Sequence, residues 1–300
     1  MTRPPRSVAP QRPLTAFVLA GGASLGAVQV GMLRALYERN IVPDLLVGAS
    51  VGALNAAFVA SRAQDVATAD ALARVWASVQ RQDVFPLDLR TVVGGLSGRR
   101  DHLVGAHALR RIVRRYIGFE DLADSPIPLH IATYDLVSGR EVLLSAGPAV
   151  DAVLAATAIP GILPPVQMGE LRLLDAAVVN NTPISHAVAL GAERIYVLPT
   201  QDPMRPGRRL PRNALECAIQ ALGVRTANHL QAELARYAPD AELIVLPAPS
   251  DQQVRPTDFG QARRLTADAL AGARMTLALG GASGWAGAAL THLYAVPPPS

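Results

Sequence analysis

Short apolar runs alternate with segments of helical spacing along most of the chain. The run Thr15–Ala20 is followed by Ala27–Arg39, where apolar side chains recur every three or four residues. Leu45–Val47 is followed in the same way by Val51–Arg62. The short runs predict buried strands, and the segments after them predict helices that pack on the sheet. The alternation therefore predicts an α/β fold of three layers, α/β/α, with a mostly parallel central sheet.

The same pattern continues through the rest of the chain. Further strands are predicted at Leu171–Leu174, Arg194–Leu198 and Glu242–Leu246. Further helices are predicted at Asp65–Val79, Ala106–Ile117, Val150–Thr157, Ile184–Leu190, Leu210–Tyr237 and Phe259–Leu279.

Two segments break the alternation. Leu129–Leu136 and Glu141–Ser145 are apolar runs that flank Ser138 and Gly139, which predicts a β-hairpin. Arg81–Gly105 contains a proline and several glycines, so we expect an irregular loop or a mobile cover there.

Both ends of the chain differ in composition from the middle. Residues 1–13 are rich in Pro and Arg and lack the apolar region of a secretory signal, so we expect a disordered basic segment. Residues 14–280 hold all the predicted elements without an internal linker and are interpreted as one domain. Residues 281–300 are interpreted as a tail rich in Gly, Ala and Pro.

Composition narrows the cellular setting and the partners. Cys217 is the single cysteine, and no apolar stretch is long enough to span a membrane, which favours a cytoplasmic protein, soluble or peripheral at the membrane. The net charge of +4 is small and scattered, which argues against nucleic-acid binding but is compatible with transient contact with an anionic membrane surface. The sequence carries no signal of oligomeric state.

The pattern Gly48-x-Ser50-x-Gly52 stands between a predicted strand and a predicted helix. The two glycines, which form the elbow, remove the Cβ atoms that would collide in a sharp strand-to-helix turn. The helix amides after the turn favour negative charge beside the hydroxyl. We therefore predict that Ser50 is a nucleophile.

A glycine-rich loop, residues 21–26, follows the first predicted strand. The backbone N–H groups of Gly22 and Ala23 could there converge on a developing oxyanion. Gly26 is followed by Ala27 rather than by Lys, which excludes a P-loop. A dinucleotide-binding fingerprint would need glycine at Ala23 and an acidic residue after the second strand, and both are missing.

Two bases are compatible with Ser50 as the nucleophile. A triad of the α/β-hydrolase type would use Asp175 with His186, His229 or His292, although none of these histidines follows a predicted strand closely. The second candidate base is Asp175 itself, which directly follows a predicted strand. The active sites of α/β proteins lie at this carboxyl edge of the sheet.

The three motifs, in this order, resemble those of the patatin-like phospholipases. The match consists of the loop 21–26, the elbow 48–52 and Asp175-Ala176-Ala177. The connecting segments 156–161 and 179–183 are also similar. The resemblance implies a lipid acyl hydrolase with a Ser50–Asp175 dyad, without histidine, metal or cofactor. It also implies an oxyanion hole formed by the amides of Gly21, Gly22 and Ala23, with an acyl lipid or another ester as the substrate.

Three positions depart from the family pattern. Ala23 replaces a glycine, Leu25 stands where many members have Arg or Lys, and Ala176 replaces the glycine after the aspartate. An alanine forced to positive φ costs on the order of 1 kcal/mol, so these positions need suitable backbone angles.

The alternative function is a binding or scaffold protein that has kept the fold and lost catalysis.

Overall fold

One mixed sheet forms the centre of the protein. The computed structural model describes residues 12–86, 88–202, 214–249, 254–255 and 257–283. The strands within these residues are β1 (Thr15–Leu19), β2 (Leu45–Ala49), β3 (Leu129–Asp135), β4 (Glu141–Leu144), β5 (Val166–Met168), β6 (Leu171–Asp175), β7 (Arg194–Leu198) and β8 (Glu242–Val245).

Each strand pairs with its neighbours in the series β5-β6-β3-β2-β1-β7-β8, and β4 also pairs with β3. The run from β3 to β8 is parallel, whereas β4 and β6 are antiparallel to β3 and β5 is antiparallel to β6. The predicted mostly parallel sheet is therefore confirmed, with an antiparallel part at one side. The pairing of β3 with β4 confirms the predicted hairpin.

Helices cover the sheet on both faces. Their bounds within the described residues are α1 (Ala27–Tyr37), α2 (Val51–Ala60), α3 (Val66–Ser78), α4 (Arg81–Val84), α5 (Leu89–Leu96), α6 (His107–Tyr116), α7 (Ala149–Ala156), α8 (Ile184–Ala189), α9 (Ala214–Tyr237) and α10 (Ala262–Ser283).

The alternation of side chains along β1 explains the layers. Phe17 and Leu19 point into a core shared with α1, α2, α3, α7 and α10. Ala16 and Val18 point the other way, into a second core shared with α8 and α9. The predicted three-layer arrangement is confirmed.

The expectation of an irregular segment at Arg81–Gly105 is wrong, because the segment contains α4 and α5. Two glycines in α5 hide its helical pattern, since glycine is a poor helix former. Asp88 starts α5: its side chain accepts hydrogen bonds from the backbone N–H of Thr91 and from the Thr91 hydroxyl.

Strand β5 was not predicted either. It has only three residues, too few for a periodic pattern, and is defined by its antiparallel pairing with β6. Residues 1–11 and 284–300 of the predicted terminal segments lie outside the described residues.

Candidate active site

Ser50 lies at the sharp turn between β2 and α2. Its backbone has φ 52° and ψ −130°, a conformation that costs a non-glycine residue about 1–3 kcal/mol. The turn also requires the flanking glycines. A Cβ on Gly48 would lie 2.6 Å from Ala53 Cα, and one on Gly52 would lie 2.1 Å from the carbonyl oxygen of Leu19. Close packing of α2 on β1 and β2 thus holds the Ser50 side chain at the carboxyl edge of the sheet.

Asp175 reaches Ser50 because β3 is longer than β2. Strand β2 pairs with β3 as far as Ala49, which stands opposite Ala132. At the next position of β3, Thr133 pairs with Asp175 of β6. Because β4 occupies the other edge of β3 here, β6 continues the line of β2. Ser50 Oγ donates a hydrogen bond of 2.6 Å to Asp175 Oδ2 across this junction.

The Asp175 carboxylate is buried and accepts two hydrogen bonds. Oδ2 accepts from Ser50, and Oδ1 accepts from the backbone N–H of Ala177 at 2.9 Å. Burial raises the pKa of Asp175 to about 6, and the two hydrogen bonds offset only part of this effect. A carboxylate with such a pKa accepts a serine proton more readily than an ordinary aspartate does.

The glycine-rich loop lies directly against Ser50. A Cβ on Gly21 would lie 2.7 Å from Ser50 Cβ and 2.3 Å from Asn181 Oδ1, so a side chain does not fit there. The Gly21 N–H donates to the Asn181 carbonyl at 3.1 Å. The Gly21 carbonyl accepts from Thr200 Oγ1 at 2.5 Å and from Asn181 Nδ2 at 3.2 Å. The N–H of Gly21, which the resemblance places in the oxyanion hole, is therefore already occupied.

The next two amides of the loop differ from that of Gly21. Among the hydrogen bonds of the described residues, none involves the N–H of Gly22 or of Ala23. Gly22 precedes, and Ala23 begins, a short 3₁₀ turn, Ala23–Gly26, that leads into α1. Within the described residues, the fold itself therefore does not use these two N–H groups.

The three departures from the patatin-like pattern each have a place in the fold. Ala23 has φ 51°, so it bears the strain that glycine would avoid. Leu25 is buried in the core with α1 and α3, where a cation would be costly. Ala176 starts a 3₁₀ turn and is not among the non-glycine residues with positive φ, so its methyl group is tolerated.

A buried polar network holds both ends of the glycine-rich loop. Gln29 Nε2 donates to the carbonyl oxygens of Ala20 and Leu198 at 2.8 and 3.0 Å. Asn55 Nδ2 donates to Gly26 O and Gln29 Oε1, and Asn55 Oδ1 accepts from Trp76 Nε1. The hydrophobic pattern of the sequence does not predict this network. Its signal is a lone amide side chain in each of two apolar helices, α1 and α2.

The two described histidines of the triad alternative, His186 and His229, form no hydrogen bond with Ser50 or Asp175. His186 Nε2 lies 2.9 Å from Glu141 Oε1. No hydrogen bond in the described part of the chain joins a histidine to Ser50 or Asp175. His292 lies outside the described residues.

Two kinds of feature are absent from the described residues. No group of three or more His, Cys, Asp or Glu side chains there is arranged to hold a metal ion. No helix there combines the length and the apolar character needed to cross a bilayer.

Fold and site together define an α/β protein with a serine and an aspartate joined at the carboxyl edge of its sheet. Comparison with protein families identifies it further. The family model of the patatin-like phospholipases matches residues 17–188, and the chain belongs to this family.

Curated relatives match a similar part of the chain. An uncharacterized NTE family protein of Mycobacterium tuberculosis is 30% identical over 168 residues, which are 55% of this chain and 27% of the relative. Lysophospholipase nte1 of Aspergillus terreus is 28% identical over 182 residues, or 60% of this chain and 11% of the relative. The chain thus spans only 27% of the length of the mycobacterial relative and 11% of the length of the fungal one.

Among solved structures, VipD from Legionella pneumophila aligns with 90% of this chain and 67% of its own. The sequence identity is 12% and the TM-score is 0.47.

Proposed function

We propose that the protein is a serine acyl-ester hydrolase that acts on lipids through a Ser50–Asp175 dyad. The observation that carries the proposal is the 2.6 Å hydrogen bond from Ser50 Oγ to the buried Asp175 carboxylate. Membership of the patatin-like phospholipase family supports the choice of substrate class. The relative named lysophospholipase makes a lysophospholipid a natural candidate.

In the acylation half of the reaction, Ser50 Oγ attacks the ester carbonyl carbon and its proton passes to Asp175 Oδ2. The carbonyl oxygen becomes an oxyanion that accepts hydrogen bonds from the N–H groups of Gly22 and Ala23. The ester C–O bond then breaks, and the leaving alcohol takes the proton from Asp175. One such donor typically contributes about 10²–10³ in turnover.

In the deacylation half, a water molecule attacks the acyl group on Ser50 and gives a proton to Asp175. The bond from the carbonyl carbon to Ser50 Oγ breaks, and Oγ recovers the proton. The products are a carboxylic acid and the free enzyme, so each group returns to its starting state.

Turnover of p-nitrophenyl butyrate tests the dyad. Ser50→Ala and Asp175→Asn are each expected to lower turnover by about a thousandfold or more, since each removes a group that acts in every step. Ser61→Ala, at the far end of α2, is the matched control and should keep normal turnover. Near-normal turnover in either dyad variant would refute the assignment.

Two further measurements separate the alternatives. A fluorophosphonate probe should label Ser50, and well-folded protein that neither labels nor hydrolyses esters would be a binding protein that has lost catalysis. His186→Ala and His229→Ala should leave turnover nearly unchanged. A large loss in either variant would favour a histidine base.

A further inference from the structure

Helix α5 turns an apolar stripe towards solvent. Leu89, Val93 and Leu96 are 77%, 53% and 77% exposed. Their spacing of four and three residues places them on one side of the helix. A helix on a protein surface normally buries such a stripe, so this one is unpartnered in the described structure.

The turn of the β3–β4 hairpin is also apolar and exposed. Leu136 is 44% exposed, Val137 is 81% exposed and Leu171, at the start of β6, is 37% exposed. The N–H of Leu136 donates to the carbonyl of Arg172 at 2.8 Å, so the hairpin turn lies beside the start of β6.

Arg172 connects the hairpin turn to the segment that follows α5. The chain after α5 folds back on the helix, because the N–H groups of Arg99 and Arg100 both donate to the carbonyl of Gly94. It then reaches Asp101, whose carboxylate pairs with the Arg172 guanidinium. We call the six exposed side chains the apolar rim: Leu89, Val93, Leu96, Leu136, Val137 and Leu171.

The hairpin turn and Leu171 lie at the same edge of the sheet as the candidate active site. Strand β3 runs parallel to β2 and continues beyond its end, so the hairpin turn projects past the edge where Ser50 lies. Leu171 and Asp175 are the first and last residues of β6, which places them about 13 Å apart along the strand.

The charges around the apolar rim have a small positive excess. Four exposed arginines lie among or beside its members: Arg90, Arg99, Arg100 and Arg140. Asp88 and Asp101 are engaged within the chain, by the start of α5 and by Arg172 and His102. Glu170, next to Leu171, and Glu141, next to Arg140, are exposed and offset two positive charges. Apolar side chains surrounded by arginines fit the surface of an anionic bilayer.

We propose that the apolar rim is the surface by which the protein docks on an anionic lipid bilayer. The proposal rests on the proposed function, because a lipid hydrolase must present its active site to an ester that lies in a membrane or micelle. Docking would insert the aliphatic side chains among the acyl chains and place the arginines at the lipid phosphates. The edge of the sheet that carries Ser50 would then face the membrane.

Co-sedimentation with vesicles of equal parts phosphatidylcholine and phosphatidylglycerol tests the proposal. The double variant Leu89→Ser and Leu96→Ser should bind at least about tenfold more weakly than the wild type, because it removes two large apolar groups from the interface. The matched control is Met275→Ser, on α10, which is 66% exposed in the wild type. Met275 lies two residues before Leu277, whose carbonyl accepts a hydrogen bond from Arg39. Arg39 follows the C-terminal end of α1, so Met275 lies away from the apolar rim. This control should bind normally.

The charge contribution is tested separately. Arg99→Gln with Arg100→Gln should weaken binding to the anionic vesicles and have little effect on the weaker binding to pure phosphatidylcholine. Equal loss on both kinds of vesicle would contradict a contact between these arginines and lipid phosphates.

Hydrolysis of soluble p-nitrophenyl butyrate, measured in parallel, separates this proposal from the proposed function. Normal hydrolysis without vesicle binding by the wild type would refute docking alone, and vesicle binding without hydrolysis would refute the enzyme assignment alone. If the leucine double variant and the Met275→Ser control bound vesicles equally well, docking through the apolar rim would also be refuted. A wild-type dimer that the leucine double variant converts to a monomer would assign the rim to a second copy and overturn the proposal.

Discussion

At the scale of single residues, the proton on Ser50 has one hydrogen-bond acceptor in the described structure, the carboxylate of Asp175. The reaction needs this carboxylate charged, and burial raises its pKa to about 6. We therefore expect kcat/KM for p-nitrophenyl butyrate to rise with pH, with an apparent pKa close to 6, and to fall about tenfold per pH unit below it. A profile that stays flat down to about pH 4 would mean that Asp175 is not the base.

The same burial has a consequence for stability. A carboxyl group with a raised pKa in the folded state stabilises the protein most below its unfolded pKa, and this contribution is lost as the pH rises through about 6. Asp175→Asn removes the buried charge, so we expect it to raise the free energy of unfolding by about 1–3 kcal/mol at about pH 8. The gain should disappear at about pH 4.

Urea unfolding at the two pH values measures this effect. Ser50→Ala is the informative comparison, because it removes a hydrogen bond to the carboxylate and leaves the charge in place. It should lower the free energy of unfolding at the higher pH. A gain for Asp175→Asn that does not depend on pH would show that charge is not its cause.

At the scale of the elements, helices α1, α2 and α3 hold the glycine-rich loop through their side chains. Asn55→Ala would leave Trp76 Nε1 and Gln29 Oε1 without partners inside the core. Since a buried group without a partner costs about 1–3 kcal/mol, we expect a loss of stability of about this size or more. We also expect kcat to fall, because Gln29 and Asn55 bond the carbonyls at both ends of the loop.

The comparison for Asn55→Ala is Val59→Ala, a buried position on the same helix. Shortening Val59 should cost stability through lost packing, about 1–2 kcal/mol, and leave kcat unchanged. Urea unfolding and ester hydrolysis of both variants decide the point. If both lose kcat in proportion to stability, the network has no specific role in positioning the loop.

The elements also show which features of the fold and of the site the sequence predicts. The strand-to-helix turn at Ser50 was predicted because Gly48 and Gly52 are required by close packing between neighbouring elements. Asp175 could be placed at the end of a strand but not beside Ser50, since that contact depends on the length of β3 relative to β2. Helix α5 was missed because its start depends on a single cap, Asp88, and its interior contains glycines.

The sequence pattern does not predict that the N–H of Gly21 is hydrogen-bonded within the fold, for a similar reason. Asn181, which accepts that hydrogen bond, lies 160 residues further along the chain. A glycine-rich loop indicates where amides gather. Which of them remain available depends on the segments that pack against the loop, and those are fixed only by the tertiary fold.

At the scale of the whole molecule, the segment after the family match completes the site. The match ends at residue 188, yet β7 pairs with β1 in the centre of the sheet. The carbonyl of Leu198, in β7, accepts from the N–H of Ala20 and from Gln29, and Thr200 bonds the carbonyl of Gly21. Residues beyond the family match, Leu198 and Thr200, therefore hold the loop that the first part of the chain supplies.

Helix α10 completes the core in the same way by packing closely on α1. A Cβ on Gly31, in the middle of α1, would lie 2.2 Å from the carbonyl oxygen of Thr266 and 2.6 Å from Leu270 N. Gly31→Ala should therefore lower the free energy of unfolding by about 1–3 kcal/mol, although alanine is the better helix former. Urea unfolding measures the change.

Gly223→Ala is the matched control for this last prediction. Gly223 also lies inside a helix, α9, but a Cβ there would come no closer than 3.9 Å to its nearest neighbour, Gln201 Oε1. With space available, the ordinary helix preference should raise the free energy of unfolding by about 0.5–1 kcal/mol. The two substitutions are chemically identical, so opposite signs would locate the difference in the contact between α1 and α10. A gain in both variants would show that the two helices are not packed at this distance.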